Sequence, residues 1–414
     1  MFSAEIIAVG SELLMSDKTD TNSLWLTEKL NEIGVEVKLK TVVGDDAARL
    51  EETMRDALRR SDIVISTGGL GPTEDDLTRQ ISAKAVGREL VYHDELERDL
   101  IERFRLLGRE MPEINKRQAF IIDGAQILPN PNGSAVGMLF EESGKFFVIL
   151  PGPPRELKPM FENFVLPQLR ARAGEIFVKR RILRVAGMGE SAVDEKISPI
   201  YLQYENPQTT ILFNRSEIEI HLTAQGKSER EVDALLETVA AKIADALGAS
   251  VFAKNGETME EIVGALLTEN KKTLSLAESC TGGLIAERLT EISGSSAYFV
   301  EAVVAYANEA KTRTLNVPGD LIEKHGAVSK EVAEAMASGM RKRARTDYAI
   351  SVTGIAGPNG GSAEKPVGLV FIGLASEQET KSIKINLPGD RYLIRWRASQ
   401  AALDFLRRTI QRNF

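Results

Sequence analysis

Apolar positions along the first part of the chain follow two alternating spacings. The stretches AEIIAVG, VEVKLKTVV and DIVISTGG are short and rich in β-branched residues, whereas TNSLWLTEKLNEIG and ARLEETMRDALRRS repeat apolar residues every three or four positions. The first spacing is typical of buried strands and the second of amphipathic helices. Strands that alternate with helices predict a parallel sheet covered on both faces, so residues 1–172 are expected to form a three-layer α/β/α domain.

The middle of the chain has a different order of elements. RRILRVAGM predicts a strand, GESAVDEKISPI a helix, TTILFN and EIEIHLTAQ two paired strands, and SEREVDALLETVAAKIADALG a long amphipathic helix. This β-α-β-β-α order predicts a small α+β domain over residues 173–255. Since no cluster of catalytic residue types is visible there, we expect a spacer or a dimerisation module.

The last segment, residues 256–414, is again expected to be an α/β domain. TMEEIVGALLTENK predicts a helix, TLSLAES a strand that leads into LAESCTGG, and CTGGLIAERLTEIS a helix that continues from it. YAISVTG predicts another strand and opens into IAGPNGGSAEKPVG, and GLVFIGLAS with KSIKINLPG suggests a hairpin. RYLIRWRASQAALDFLRRTIQ then predicts a closing helix.

Length and composition are those of a globular protein of several domains. A chain of 414 residues is too long for one ordinary core, and its 43% hydrophobic and 27% charged residues are normal values. The net charge of -8 disfavours nonspecific binding to nucleic acid or anionic membranes. No apolar stretch approaches the roughly 20 residues that span a bilayer, and the N-terminal MFSAEIIAVGSELL predicts a strand rather than a signal peptide. We therefore expect a cytoplasmic protein without nucleic-acid or membrane partners.

Cysteine and histidine are scarce. Cys280 is the only cysteine, which excludes an internal disulfide and a multi-cysteine metal site. His93, His221 and His325 lie far apart in sequence, so no local histidine pair for a metal exists. The scarcity disfavours a histidine general base and directs attention to Lys, Asp, Glu, Ser and Thr.

The stretch LAESCTGG is a candidate nucleophile site. If Ser279 to Gly283 form a strand-to-helix turn, the NH groups of Thr281, Gly282 and Gly283 belong to a first helical turn and are free to bind an anion or an oxyanion. The alternative is ordinary N-capping by Ser or Thr ahead of a helix. Cys280 is a rival nucleophile, but with no nearby histidine to ionise it we expect a packed small residue.

The downstream stretch AVVAYANEAKTRTL supplies a candidate base. It places Tyr306, Asn308 and Lys311 close together among Ala and Val residues. A lysine acts as a base near neutral pH only if burial lowers its pKa. The alternative is an exposed lysine on a helix. Ser279 and Lys311 together favour a Ser/Lys amidohydrolase over other nucleophile schemes.

The stretch STGGLGPTEDDLT is a candidate phosphate site. Glycines after a strand let a phosphate meet the backbone, and paired carboxylates can hold a divalent ion against a pyrophosphate, although the ending of a Walker motif is missing. The alternative is that the carboxylates only favour a helix N-terminus.

PGPPRE predicts a rigid turn before a helix, whose prolines either set the chain geometry or shape the pocket. The candidate residues at this end of the predicted sheet are Gly10, Ser11, Glu12, Asn22, Asp45, Asp46, Gly68, Gly69, Gly71, Thr73, Asp75, Asp76, Pro151 and Gly152.

These motifs together resemble a known family. AESCTGG, GSSAYF, YANEAK, HGAVS, VTGIAGPNGG and EKPVG resemble the C-terminal domain of the CinA (competence/damage-inducible protein) family, a nicotinamide mononucleotide deamidase of the Ser/Lys type. GSELL, STGGLGPTEDDLT and LPGPPRE resemble its N-terminal domain, which is similar to molybdopterin-binding domains and is linked in some members to ADP-ribose pyrophosphatase activity. The middle segment lies where the family carries a small KH-like domain, so the resemblance covers essentially the whole chain.

The resemblance also implies roles for individual residues. Ser279 would be the nucleophile, Lys311 its base, and Arg391 a contact to the nucleotide phosphate. The other substrate-binding positions expected are Thr281, Gly282, Gly283, Ser296, Tyr306, Asn308, Thr353 and Gly354. Turns between Gly354 and Gly361 would add NH donors for the phosphate.

The expected activity is hydrolysis of nicotinamide mononucleotide to nicotinic acid mononucleotide and ammonia, without a cofactor, in pyridine nucleotide recycling. The N-terminal domain is expected to be an ADP-ribose pyrophosphatase with a divalent metal at Asp75 and Asp76. Its alternative is a non-catalytic nucleotide- or pterin-binding module. The expected partners are the two substrates and a second copy of the chain in a homodimer.

Overall fold

The computed structural model describes residues 2–142, 144–174 and 176–413. They form two compact units: one runs up to Lys179 and includes Gln225–Asp233, and the other comprises Arg180–Ala224 and the residues from Ala234 onward. Within these ranges no helix combines the length and the apolar character needed to cross a membrane.

The N-terminal domain is built on a six-stranded sheet of order β2-β1-β3-β8-β7-β6. Its strands and helices are β1 (Ser3–Val9), α1 (Thr21–Asn31), β2 (Glu36–Val43), α2 (Ala47–Arg60), β3 (Ile63–Thr67), α3 (Thr78–Val86), β4 (Leu90–Tyr92), α4 (Asp94–Leu106), β5 (Phe120–Ile122), β6 (Gln126–Leu128), β7 (Gly137–Glu142), β8 (Lys145–Leu150), α5 (Pro154–Met160) and α6 (Leu166–Ala173). Strands β4 and β5 form a separate two-stranded ribbon.

The predicted parallel pairing is correct for β1, β2, β3 and β8 and wrong for the pairs that β7 makes, because β7 runs in the opposite direction. β1 pairs in parallel with β2 and β3, and β3 pairs in parallel with β8. β7 is antiparallel to β8 and to β6. β7 ends at Glu142 and β8 begins at Lys145, a connection too short for the crossover that a parallel pair needs.

Two hydrophobic cores lie on opposite faces of this sheet. Adjacent residues of β1 point to opposite sides, so Ile6 packs in a core with Leu30 of α1, and Ile7 packs in another with Met54 of α2. Helices therefore cover both faces, as the alternation of elements predicts.

The middle elements form an α+β arrangement. They are β9 (Phe177–Ala186), α7 (Glu190–Tyr201), β10 (Gln208–Asn214), β11 (Glu217–Gly226), α8 (Glu229–Leu247) and β12 (Val251–Ala253), with strand order β10-β11-β9-β12. β10 and β11 pair in an antiparallel hairpin, as predicted. The short strand β12, which pairs antiparallel with β9, is an addition that the pattern does not predict.

The C-terminal domain has a five-stranded sheet of order β14-β13-β15-β16-β17. Its elements are α9 (Met259–Glu269), β13 (Leu274–Glu278), α10 (Leu284–Thr290), β14 (Phe299–Val304), α11 (Asn308–Leu315), α12 (Gly319–His325), α13 (Lys330–Ala344), β15 (Tyr348–Gly354), β16 (Leu369–Ala375), β17 (Thr380–Asn386) and α14 (Arg391–Asn413). β13 is parallel to β14 and β15, and β16 and β17 form the predicted hairpin.

The parallel strands of this domain determine where its loops meet. Because β13, β14 and β15 run in one direction, the segments after Glu278, Val304 and Gly354 open at the same edge of the sheet. One core, containing Val263, Ile285 and Ala398, covers one face, and another, containing Leu315 and Met336, covers the other.

Candidate active site

The loop after β13 is a glycine turn rather than the first turn of a helix. α10 begins at Leu284, so the helix predicted to start at Cys280 begins later. Gly282 and Gly283 have φ angles of +63° and +94°. Only glycine adopts this backbone without strain, and a helix cannot start through it. The turn brings Ser279 to the end of the sheet.

Lys311 lies directly against Ser279. Its Nζ donates to Ser279 Oγ at 3.2 Å and to the Tyr306 carbonyl oxygen at 2.9 Å. The Lys311 side chain is enclosed, with the residue 1% exposed, and Ser279 is 8% exposed. The alternative of an exposed helical lysine is therefore wrong, and Ser279 has a basic nitrogen within hydrogen-bond distance.

Burial changes the protonation of Lys311. Loss of solvation lowers the pKa of its amine from 10.5, and the nearby Cys280 and Glu309 only partly oppose this shift. Throughout the described part of the chain, no carboxylate forms an ion pair with Lys311. Neutral amine is thus available at a lower pH than for an ordinary lysine.

Cys280 is a packed thiol, as the sequence suggests. It is buried, and burial raises the pKa of its thiol to about 12. The nearby NH groups of Cys280 and Thr281 favour the thiolate but do not overcome the loss of solvation. A protonated, buried thiol is a poor nucleophile, which leaves Ser279 as the candidate.

The loop amides differ from the expectation of three free donors. Gly282 NH donates to the Ser279 carbonyl oxygen at 3.1 Å and Gly283 NH to Glu278 Oε2 at 3.0 Å, so these two amides are occupied. Ser279 NH donates to the Val352 carbonyl oxygen. Thr281 is fully enclosed, so the amide of Cys280 is the remaining candidate for an oxyanion.

N-capping by a hydroxyl is also wrong here. Gly283 occupies the cap position of α10, and no side chain of Ser or Thr bonds there. The Thr281 hydroxyl is fully buried and has no hydrogen-bond partner within the described ranges. As arranged, it is beyond the reach of a substrate.

Glu278 performs the capping that the sequence suggested for a hydroxyl. Its carboxylate is 1% exposed and accepts the NH groups of Gly283, Ile285 and Ala286 at 2.9 to 3.2 Å. The sequence signal was an acidic residue ahead of two glycines and a helical pattern, because carboxylates are favoured at helix N-termini. Sequence reasoning missed this residue.

A cationic rim lies at the same edge of the sheet. Arg391 donates from Nη1 to the Gly357 carbonyl oxygen at 2.7 Å and from Nη2 to Tyr306 Oη at 3.1 Å. Tyr306 is mostly exposed, and Asn308 is an exposed residue at the start of α11. The structure thus brings Tyr306 and Arg391 together, and a guanidinium is suited to a phosphate.

Three other expected substrate contacts have different surroundings. Thr353 is buried, and its hydroxyl donates to the Ala327 carbonyl oxygen at 2.8 Å. Gly354 ends β15 at the site edge, but a Cβ there would lie 2.7 Å from Val370, so its glycine serves packing against β16. Ser296 precedes β14, whose start pairs with the start of β13. It therefore lies at the opposite end of the strand, about 17 Å from the end that carries Ser279. The structure does not bring Ser296 to this site.

A second group of loops converges in the N-terminal domain. Gly10, Gly68 and Pro151 directly follow β1, β3 and β8, which run in parallel. A Cβ at Gly68 would lie 2.2 Å from the Val9 carbonyl oxygen, and one at Gly152 would lie 3.5 Å from Gly68 Cα. The loops approach so closely that Gly68 has to be glycine.

Unpaired buried polar atoms lie around these loops. Asn22 donates from Nδ2 to the Gly152 carbonyl oxygen at 2.7 Å, but its Oδ1 has no partner among the residues that the structure describes. Ser66 Oγ in β3 is likewise buried without a described partner. Buried polar atoms are normally satisfied, so Asn22 Oδ1 is a candidate for binding a polar ligand, whereas Ser66 is fully enclosed in β3.

Other predicted residues of this region bond to one another. Ser11 and Asp45 exchange two hydrogen bonds of 3.0 Å, and Asp46 caps α2 by accepting from Arg49 NH. Glu12 is exposed on the short turn Ser11–Leu14. A Cβ at Gly69 would lie 2.2 Å from Thr78 Oγ1, which explains that glycine.

The carboxylates of STGGLGPTEDDLT do not form a metal cage. Asp76 accepts from Gly71 NH, Thr73 NH and the Thr73 hydroxyl, and Asp75 is exposed. Across residues 2–142, 144–174 and 176–413, no group of three or more potential ligands is placed to hold a metal ion. The residues present therefore do not fit the expected divalent ion, since Asp76 already serves its own loop.

Arg79, in α3, contacts this loop, and sequence reasoning missed it. It is 1% exposed, and burial lowers the pKa of its guanidinium to about 10. Its Nη2 donates to the Leu70 carbonyl oxygen at 3.0 Å, and so it holds the glycine loop from beneath. Its position directly after Thr78 carried no signal, because an arginine on a helix is usually exposed.

The fold and the site define an α/β protein of three domains whose last domain holds a buried serine–lysine pair. Three family models match it: the probable molybdopterin binding domain over residues 5–171, the damage-inducible protein CinA KH domain over residues 180–253, and the CinA C-terminal domain over residues 256–410.

Relatives match along the whole chain. A CinA-like protein of Solibacter usitatus is 49% identical over 407 residues, covering 98% of each chain. A putative competence-damage inducible protein of Clostridium kluyveri is 44% identical over 408 residues, covering 98% of this chain and 99% of its own. A crystal structure of the competence/damage inducible protein CihA from Agrobacterium tumefaciens is 40% identical, covering 37% of this chain and 93% of its own with a TM-score of 0.36. The chain belongs to the CinA family.

Proposed function

We propose that the C-terminal domain hydrolyses the carboxamide of nicotinamide mononucleotide to nicotinic acid mononucleotide and ammonia, in pyridine nucleotide recycling. One observation carries the proposal: the buried Lys311 amine, without a carboxylate partner within the described ranges, lies 3.2 Å from Ser279 Oγ. Such a pair can generate an alkoxide, which is the nucleophile that an amide requires.

The reaction proceeds through an acyl-enzyme. Neutral Lys311 takes the hydroxyl proton of Ser279, and Oγ forms a bond to the carboxamide carbon. The loop amide of Cys280 stabilises the oxyanion. Lys311 then gives its proton to the amide nitrogen, the C–N bond breaks and ammonia leaves. Water attacks the ester carbon while Lys311 takes its proton. The C–Oγ bond then breaks, Lys311 returns the proton to Ser279 Oγ, and nicotinic acid mononucleotide leaves. No cofactor is required.

The rim residues support a substrate that carries a phosphate. Arg391 and the Tyr306 hydroxyl lie together, 3.1 Å apart, on the segments that flank the catalytic loop. We assign the phosphate of the nucleotide to this rim and its carboxamide to Ser279. Charge-assisted bonds from a guanidinium to a phosphate are short and directional, which would orient the ring toward the nucleophile.

Substitution of the pair tests this proposal. We expect Ser279→Ala and Lys311→Ala each to reduce ammonia release from nicotinamide mononucleotide by at least about 10³-fold, as in other nucleophile–base pairs. Cys280→Ala is the matched control, because its buried thiol takes no part, and should retain activity within about threefold. Circular dichroism verifies that each variant folds. Full activity of either pair variant would contradict the dyad.

For the N-terminal domain we propose that the loops after β1, β3 and β8 bind a nucleotide or a pterin. The unpaired Asn22 Oδ1 supports this proposal. The arrangement of Asp75 and Asp76 does not support a step through a divalent metal. Metal-dependent hydrolysis of ADP-ribose is therefore the competing hypothesis.

One assay separates binding from hydrolysis in the N-terminal domain. The full chain is incubated with ADP-ribose in EDTA and then with added Mg²⁺ or Mn²⁺, and AMP is measured. We expect no AMP in any arm, while ammonia release from nicotinamide mononucleotide is the same in all of them. AMP that appears only with the added metal would overturn the binding-only proposal. Asn22→Ala, which removes the unpaired oxygen, serves as the matched variant and should then lose this activity.

A further inference from the structure

The catalytic loop depends on groups outside itself for its shape. Both Gly282 and Gly283 have positive φ angles, and glycine has more backbone freedom than any other residue. A loop of this composition does not keep one conformation by its own torsional preferences. Contacts with neighbouring elements have to restrict it.

Two charged side chains provide those contacts. The Glu278 carboxylate accepts the amides at the end of the loop. Arg395, on α14, donates from both Nε and Nη2 to the Thr281 carbonyl oxygen, at 3.1 and 2.7 Å. Two donors on one oxygen from a planar guanidinium fix the direction of that carbonyl better than one donor does.

The two hydrogen bonds from Arg395 restrict the orientation of a whole peptide plane. The Thr281 carbonyl and the Gly282 NH belong to one planar unit, and this NH donates to the Ser279 carbonyl oxygen at 3.1 Å. Both ends of the plane are therefore bonded. The amide of Cys280 lies just before it and is the donor that remains for an oxyanion. A hole of this kind commonly uses the amide that follows the nucleophile.

Arg395 also lies one turn after Arg391 on the same helix. Residues at this spacing share a helix face, so one face of α14 reaches both the phosphate rim and the catalytic loop. Unlike Arg391, Arg395 donates both of its hydrogen bonds to the backbone of the catalytic loop.

We propose that Arg395 is a positioning residue, which holds the Thr281 carbonyl so that the amide of Cys280 faces the substrate carboxamide. This inference rests on the proposed amidase function. Arg395 does not touch the reacting atoms; it acts through the loop.

The test compares Arg395→Met, Arg395→Lys and Arg343→Met in the full chain. Arg343 is the matched control, because its Nε and Nη2 also donate to a single oxygen, Glu301 Oε1, at the opposite edge of the sheet. For Arg395→Met we expect kcat with nicotinamide mononucleotide to fall on the order of 10²-fold, the usual effect of a misplaced catalytic group, while KM changes less than about threefold. The pH dependence of the rate should keep its midpoint, because Lys311 is unchanged. Arg395→Lys should give an intermediate kcat, and Arg343→Met the wild-type value.

Hydrogen–deuterium exchange gives a readout that needs no turnover. Peptides covering residues 279–286 should exchange faster in Arg395→Met than in the wild type, and equally in Arg343→Met. A raised KM with unchanged kcat would overturn the proposal, because Arg395 would then bind substrate. Full recovery of kcat in Arg395→Lys would also overturn it, since charge alone would suffice. If the wild type releases no ammonia from this substrate, the proposed function fails. Unchanged hydrogen–deuterium exchange in Arg395→Met would separately show that Arg395 does not restrict the loop.

Discussion

At the scale of single residues, Lys311 shows how position changes chemistry. An amine in water remains protonated near neutral pH and cannot accept the proton of Ser279. In this fold the amine is enclosed, receives no carboxylate within the described ranges, and bonds only to Ser279 Oγ and the Tyr306 carbonyl oxygen. Burial therefore supplies the basicity that the sequence could only suggest.

The lowered pKa of Lys311 predicts a pH-dependent stability. Between the folded-state pKa and 10.5, the unfolded chain binds more protons at this lysine than the folded chain does. The contribution of Lys311 to the free energy of unfolding therefore rises with pH across that window. We expect the Tm of Lys311→Met minus that of the wild type, measured by calorimetry, to fall as pH rises through this window toward 10.5. A difference that stays constant or grows with pH would contradict a lowered pKa.

The same group predicts the pH dependence of catalysis. If neutral Lys311 is the base, kcat/KM should rise with pH through a midpoint below 10.5, because that is the value from which burial lowers the pKa. Initial rates measured at each pH, with substrate below and above KM, give kcat/KM and the midpoint of its rise. A rate that falls over the same interval would require the protonated amine instead.

Residue types and spacing were sufficient to select the candidate pair but not the residues that support it. Ser279 and Lys311 could be paired from sequence, and Cys280 could be set aside, because nucleophilic chemistry restricts the eligible side chains. Glu278 and Arg395 could not be assigned, since their roles depend on which backbone groups face them. Ser296 was wrongly included, because the register of β14 is a tertiary property.

At the scale of elements, the turn between β13 and α10 decides the geometry of the site. A helix beginning at Cys280 would have presented three amides, but the glycines delay it to Leu284, and Glu278 takes over its first NH groups. Hydrophobic spacing predicts that a helix follows a strand, but it does not resolve where polar backbone groups find partners.

Glu278→Gln tests the role of this turn. The amide side chain keeps the size of Glu278 but turns a donor toward NH groups, so at least one of Gly283, Ile285 and Ala286 loses its acceptor. We expect a loss of about 1–3 kcal/mol in the free energy of unfolding, measured with urea, together with reduced kcat. Thr258→Ala at the cap of α9 is the control and should cost about 1 kcal/mol without changing kcat. Wild-type kcat in Glu278→Gln would contradict its role in shaping the loop.

At the scale of the whole molecule, a buried polar network joins the middle and C-terminal domains within one compact unit. Arg288 is 3% exposed and donates to Glu260, to Ser399 and, at 2.5 Å, to Gln400. Gln400 in turn donates to Glu217 of β11 at 3.0 Å. Burial raises the pKa of the Glu217 carboxyl, although Arg184 opposes this shift. The network makes the middle domain part of the support of α14.

Removal of Arg288 should be strongly destabilising. Arg288→Met leaves the Glu260 carboxylate buried without its cation, for which we expect a loss of about 3–5 kcal/mol in the free energy of unfolding, measured with urea. Arg343→Met, which removes an exposed ion pair with Glu301, should cost about 1 kcal/mol or less. Equal losses in the two variants would show that the network contributes no more than a surface pair.

The sequence by itself determined the alternation of strands and helices, the order of the three domains and the two residues able to carry an amidohydrolase reaction. These follow from apolar periodicity and from the few side chains that can act as nucleophile and base. Only the tertiary structure decided that β6 and β7 run antiparallel, that Asp76 bonds within its own loop, and that Glu278 and Arg395 hold the catalytic turn. Strand direction, burial and hydrogen-bond partners arise from contacts between distant segments, so the local spacing of residues does not predict them.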